Sequence, residues 1–291
     1  MSAVDSAHPS PPADRLGDQR AERPRRWSAG NGIYRLMTVV VIAVFLLIWQ
    51  YAPQVPAISQ HVGFLNRFVI GSPEGVAKDI WELVTGSGGR PEVWPYFENT
   101  VVAALLGALI GLVLGIAAGI LLAESEPLRE ILTPIVSLIN SAPRIALIPI
   151  VVLFTGPTLI ASIVASVLVV FFISFFNALE GARNVPPAIL DNTRLLGAGR
   201  LKMILYIRLP NAISYIFASL PNIISFSFTT VVTAEILTGF DGMGALIESA
   251  QTSVDAGLTL AVVVILAVIG ATLANLASMT RKKAMQWEHR S

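Results

Sequence analysis

Six stretches of this 291-residue chain, near 33–51, 97–123, 131–154, 158–178, 212–237 and 257–279, approach or exceed a membrane-spanning length. A helix needs about 20 apolar residues to cross a bilayer. That pattern excludes most soluble architectures. Only 13% of the residues are charged, against about 25% in an ordinary soluble domain. The expected fold is an all-α integral membrane protein with about six transmembrane helices. Cysteine is absent, so disulfides, thiolate metal sites and cysteine nucleophiles are excluded together.

Orientation follows from where the cations fall between spans, not from the net charge of +1. Arg15, Arg20, Arg23, Arg25, Arg26 and Arg35 precede or open the first span. Arg183, Arg194, Arg200, Lys202 and Arg208 fill the connection before the fifth, and Arg281, Lys282 and Lys283 follow the last. Residues 238–256 hold Asp241, Glu248 and Asp255 with no basic residue. Both termini and the 180–211 loop are therefore expected in the cytoplasm. The loop 124–130 runs against this with Glu124, Glu126 and Glu130 beside Arg129, but acidic residues weigh little in the rule.

Three segments make up the expected organisation: a disordered cytoplasmic tail over 1–32, rich in Pro and Ser, a membrane domain over 33–280, and a short cytoplasmic tail over 281–291. A signal peptide is the rival reading of the first segment, yet no small-residue cleavage site follows Trp49. Within the first external connection, 72-SPEGVAKDIWELVTGSGG-89 reads as a short amphipathic helix. Ser72 suits its cap, Pro73 its first position, and Gly86, Gly88 and Gly89 its end.

Four features inside or beside the spans invite functional readings. Gly107, Gly111, Gly115 and Gly119 recur every four residues on one helix face. They fit intramolecular helix packing, or else a subunit interface or moving seam. The third span is interrupted by Pro143 and Pro149, where a helix bends or breaks, and Arg144 sits at its centre. An arginine at that depth faces an anion pathway, a buried carboxylate, freed carbonyls or an interface. In the fifth span Ser219, Asn222, Ser225, Thr229 and Thr233 share a face around Pro221, as pathway lining or as interhelical hydrogen bonds. Glu235 lies near the external end, where water is expected to solvate it, as an interfacial carboxylate or a pathway group.

Residues 180–211 are the most informative. Pro186 and Pro187 open one helix, Gly197 and Gly199 permit a sharp turn, and a second helical run from Arg200 is expected to stop at Pro210. Such a unit presents a rigid element to a cytosolic partner, or rests its arginines on anionic headgroups. The segment resembles the signature cytoplasmic loop of permease subunits of binding-protein-dependent ABC importers. That pattern runs Glu-Ala-Ala, three residues, Gly, nine residues, Ile-x-Leu-Pro. Here Asp191, Asn192 and Thr193 occupy the first triplet, departing at every position, and Gly197, Ile207, Leu209 and Pro210 fall at the right spacings. The stretches 143-PRIALIPIVVLFTG-156, 196-LGAGR-200 and 234-AEILTGFDGMGALI-247 resemble the nitrate, sulfonate and taurine branch of that family.

The resemblance implies an ABC importer permease fold in a bacterial inner membrane, with residues 189 to about 201 as a coupling helix and Asp191, Asn192, Thr193, Gly197, Arg200, Ile207, Leu209 and Pro210 in the coupling loop. It further implies a separate ATPase, an external solute-binding protein, a second permease copy as homodimer, surrounding lipid, and a small anion such as a sulfonate, taurine or nitrate as cargo. No nucleic-acid partner or metal is implied. The chain itself lacks G-x-x-x-x-G-K-[ST], so ATP and Mg are expected on the partner. An ion-coupled secondary transporter is the alternative, though it would need more buried carboxylates than Glu235 alone. A membrane-embedded enzyme fares worse, because His8, His61 and His289 all lie outside the spans.

Overall fold

The computed structural model describes residues 31–54 and 71–284, apart from a few side chains that include Arg144. The tails expected before residue 33 and after residue 280 fall largely outside the described residues, as do all three histidines. The described residues are helical, with no strand among them. Helix α1, Asn31–Tyr51, forms a compact unit with its own contacts, and its Leu36–Tyr51 stretch is apolar.

In the second unit, which starts at Ala52, helix α2, Pro73–Thr85, has the expected punctuation. The Ser72 hydroxyl accepts the Gly75 N–H at 3.2 Å, and Gly86 ends the helix at φ 64° with its N–H on Glu82 O. Among the described residues, four helices are long and apolar enough to span a membrane: α3, Val93–Ala123; α6, Leu159–Arg183; α8, Arg200–Thr238; and α10, Ala256–Ala284, through its Ala256–Thr280 portion. Between α3 and α6 the expected third span is not one helix. It divides into α4, Glu126–Asn140, a 3-10 turn at Arg144–Leu147, and α5, Ile148–Thr155. Pro143 and Pro149 flank the break, as loss of their backbone donors requires.

The core is the contact between α3 and α6, which run parallel. Gly107 lies against Ser166, Gly111 against Val167 and Val170, Gly115 against Phe171 and Ser174, and Gly119 against Phe175 and Leu179. A Cβ on Gly111 would sit 2.8 Å from Val167 O, and on Gly119 2.6 Å from Phe175 O, so only glycine lets these backbones meet. Because α3 and α6 are parallel, the broken 126–155 segment must carry the chain back along the bundle between them. Helix α8 crosses both: Ser227 Oγ donates to Ala104 O at 2.6 Å and lies 2.7 Å from Ser166 Oγ. Lower down, Ile120, Phe175, Ala178, Leu179, Ala212 and Ile216 pack together.

Opposite that end, Arg90 binds Asp79 on α2 and Asp255 ahead of α10, each at 2.8 Å. Burial alone would lower the Arg90 pKa, but the two carboxylates raise it. Burial likewise works against the charge of Asp255, yet the Leu258 N–H and Arg90 hold it below the usual carboxylate range.

Candidate functional site

The glycine-turned segment folds as helix, turn and helix. Helix α7, Pro187–Leu195, starts on its paired prolines and ends on Gly197 at φ 78°. The Ala198 N–H reaches Thr193 O and the Gly197 N–H reaches Arg194 O, a Schellman closure that satisfies the last carbonyls. No atom lies within 4 Å of a Cβ built on Gly197 or Gly199, so the turn stands free. Asp191, Asn192 and Arg200 are exposed, and Thr193 is half-buried with its hydroxyl on Ile189 O. Leu195 and Leu196 are 85% and 88% exposed, an unusual presentation of two large apolar side chains.

The second helix does not stop at Pro210, against expectation. It passes through a π-helical turn, Ile204–Arg208, where the Leu209 N–H bonds Ile204 O, and continues to Thr238. Pro210 lacks the donor and crowds the carbonyl four residues back, and the widened turn absorbs both defects. Leu209 packs on the core cluster and Ile207 is half-buried.

Arg208, which looked like one more surface cation, is 9% exposed. Its Nε lies 2.7 Å from Glu124 Oε1, and Nη1 donates to Ala123 O and Ala182 O at 3.1 Å. One guanidinium thus serves the terminal carbonyls of α3 and α6, where cations are favoured. Its partners lie 85 and 26 residues away in sequence, which hides the role from local pattern.

Of the pathway candidates on α8, Asn222, Ser225 and Thr229 are exposed on one face, and Ser219 and Thr233 are half-buried. The Ser225, Thr229 and Thr233 hydroxyls each donate to the carbonyl four residues earlier, which leaves their lone pairs outward. Pro221 lies inside the unbroken helix. Arg144 stands in the 3-10 turn, its side chain outside those described.

Glu235 differs from expectation: it is fully buried, not solvated. Its Oε2 accepts the Gly244 N–H at 3.0 Å, and Thr100 Oγ1 lies 2.9 and 2.8 Å from its two oxygens. Thr100 Oγ1 also accepts the Met243 N–H. The carboxyl therefore caps helix α9, Met243–Thr252, and a Cβ on Gly242 would strike it. It belongs to the joint between α3, α8 and α9.

A family model described as "Binding-protein-dependent transport system inner membrane component" matches residues 96–282. The chain belongs to that family. This permease is 28% identical over 249 residues to the riboflavin transport system permease protein of Chloroflexus aurantiacus, covering 86% of this chain and 89% of that one. It is 26% identical over 240 residues to a putative aliphatic sulfonates transport permease protein of Escherichia coli, covering 82% and 87%. The taurine transport system permease protein of the same organism is 22% identical over 245 residues, covering 84% and 86%. In fold, the permease resembles a chain of the inward-facing MetNI methionine ABC transporter with a TM-score of 0.58, covering 70% of this chain and 96% of that one at 19% identity. It is a multi-pass inner-membrane permease of the ABC importer class, and its relatives are non-catalytic transport components.

Proposed function

We propose that the permease forms the solute route of an ATP-driven importer and is moved by a separate ATPase through α7 and its Gly197 turn. The observation that carries this is the free-standing, Schellman-closed turn bearing Leu195 and Leu196 almost fully exposed beside Asp191 and Arg194. Apolar side chains so presented at the end of a rigid helix suit burial in a groove of another protein. ATP and Mg belong to that partner, and an external binding protein delivers the solute. The domain limits proposed are a membrane domain over 33–280 with the coupling loop at 180–211, both tails lying in the cytoplasm.

The uncharged hydroxyl and amide face of α8, exposed in one subunit, supports a route formed with a second copy, because such a face does not rest in lipid. A homodimer is the simplest closure. The cargo proposed is a small anion such as a sulfonate, taurine or nitrate, with Arg144 as its attractant. The relative from a riboflavin system supports a second reading, a neutral heterocycle. The permease, purified with its associated proteins from native membranes and reconstituted, should take up one of these solutes only with ATP. Uptake without nucleotide would refute the proposal. Cysteines placed at 222, 225 and 229 in this cysteine-free chain should react with water-borne thiol reagents in the assembled importer. Uniform protection would return the face to helix packing.

A further inference from the structure

Beneath α7 the bundle holds a basic cavity that the transport cycle does not account for. It encloses about 330 Å³ between the turn joining α3 to α4, the end of α6 and the inner side of α7, and is lined by Glu124, Glu126, Arg129, Arg183, Arg194 and Arg208 among others. Four arginines and two glutamates line it, and Asp191, outside the lining, pairs with Arg194, which leaves one positive charge uncompensated. Two of the arginines are already engaged: Arg208 with Glu124, and Arg129 with Glu126 at 2.8 Å. Arg194 makes one contact with Asp191 at 3.2 Å, which leaves most of its fork of donors unused. Arg183 has no carboxylate partner among the described residues.

Arg183 also lines a second cavity of about 440 Å³ with Thr133, Phe176, Leu179, Glu180 and Asn184. In it Thr133 Oγ1 is buried with no hydrogen-bond partner. A basic chamber and a mixed apolar chamber thus share one free guanidinium. Both lie where α3 and α6 end, Ala123 and Arg183 being their last residues, at the height where hydrocarbon gives way to headgroups.

We propose that these cavities are a binding site for a phosphate-bearing anion, its phosphate held by Arg183 and Arg194. Guanidinium forks match phosphate oxygens in pairs, and basic pockets between transmembrane helices on the cytoplasmic side select anionic headgroups. The phosphate can come from a phospholipid, whose glycerol and chain carbons would follow Phe176 and Leu179, or from a soluble phosphate. Bound there, it bridges α7 to the end of α6 and stiffens the link between them. That consequence rests on the proposed coupling role, whereas the binding itself does not.

The test uses the full permease purified with its partner proteins. Native mass spectrometry would count retained phosphatidylglycerol against phosphatidylcholine, and thermal unfolding would be followed during titration with inorganic phosphate. Arg183→Gln should weaken phosphatidylglycerol binding about tenfold, the factor that about 1.4 kcal/mol makes in a binding constant. Arg183→Lys should recover part of it, and Arg194→Gln should act in the same direction. A phosphate-dependent rise in melting temperature that Arg183→Gln abolishes, with no lipid preference, would assign the site to a soluble phosphate. Binding of both probes unchanged in Arg183→Gln and Arg194→Gln would overturn the proposal. Loss only of ATPase association in those variants would overturn it too, in favour of a partner's carboxylate.

Discussion

Replacing Arg208 with methionine tests the joint at the cytoplasmic end of the bundle. Methionine keeps much of the buried stem but removes the charge from Glu124 and the donors from Ala123 O and Ala182 O. Breaking a buried ion pair by removing one partner costs about 3–5 kcal/mol. Glu124 keeps 17% of its side-chain surface in water, so the lower end applies, about 3 kcal/mol. Roughly 1 kcal/mol of that comes from the two carbonyls, and about 2 from the stranded carboxylate. The double variant Arg208→Met/Glu124→Gln strands only the carbonyls and should recover the latter part. Reversible unfolding of the purified permease in mixed micelles, run as a double-mutant cycle, reads the coupling directly. The reasoning fails if Arg208→Met costs no more than the same change at exposed Arg200, or if the double variant is as unstable as the sum of the singles.

Gly111→Ala should destabilise by about 2 kcal/mol, because the new Cβ meets Val167 O at 2.8 Å and Val170 Cβ at 2.9 Å, whereas Gly270→Ala, at 3.5 Å from Phe228, should be nearly silent in the same unfolding assay. Gly197→Ala meets no neighbour and carries only the left-handed penalty of about 1–2 kcal/mol. It should lower ATP-driven uptake while lowering global stability by no more than that penalty; normal uptake per ATP hydrolysed would count against the coupling role. Because the Asp255 pKa is depressed in the folded state, its contribution is present above the unfolded value of about 3.9 and is lost as pH falls through the lower folded value. Hydrogen exchange in α2 should therefore rise below about pH 4, and Asp255→Asn should show that exchange at neutral pH.

What could be read from the chain is what local chemistry determines. Ser72, Pro73 and Gly86 bound α2, paired prolines and Gly197 bound α7, and the four-residue glycine rhythm marks the close face of α3, since each signal acts within a turn or two of itself. Arg208 and Glu235 escaped because their partners are remote. Thr100 stands 135 residues before Glu235, and nothing near Glu235 in sequence says that water is excluded from it. Pro210 misled for the opposite reason: a local rule was applied where tertiary packing of Ile204 and Leu209 holds the helix together across the defect.

The pins on α8 constrain how any motion of α7 could reach the solute route. At about 1.5 Å per residue, its 39 residues extend roughly 58 Å, nearly twice the hydrocarbon thickness. Arg208 ties its lower part to α3 and α6, Ser227 ties its middle to the same two helices, and Glu235 ties its upper end to α9. Bending α8 between those pins would break buried polar contacts. Bending within segment 196–199 costs only local backbone hydrogen bonds at an exposed turn, since Gly197 and Gly199 leave open space around them. Compliance therefore concentrates at that turn, and a pull on α7 that exceeds it must move α3, α6, α8 and α9 as one body. On the proposed reading the exposed Asn222, Ser225 and Thr229 face then opens and closes by rotation against the second copy rather than by rearrangement within a subunit. An anion bridging Arg183 and Arg194 would tie α7 to the end of α6 and so shorten the slack before that rotation begins.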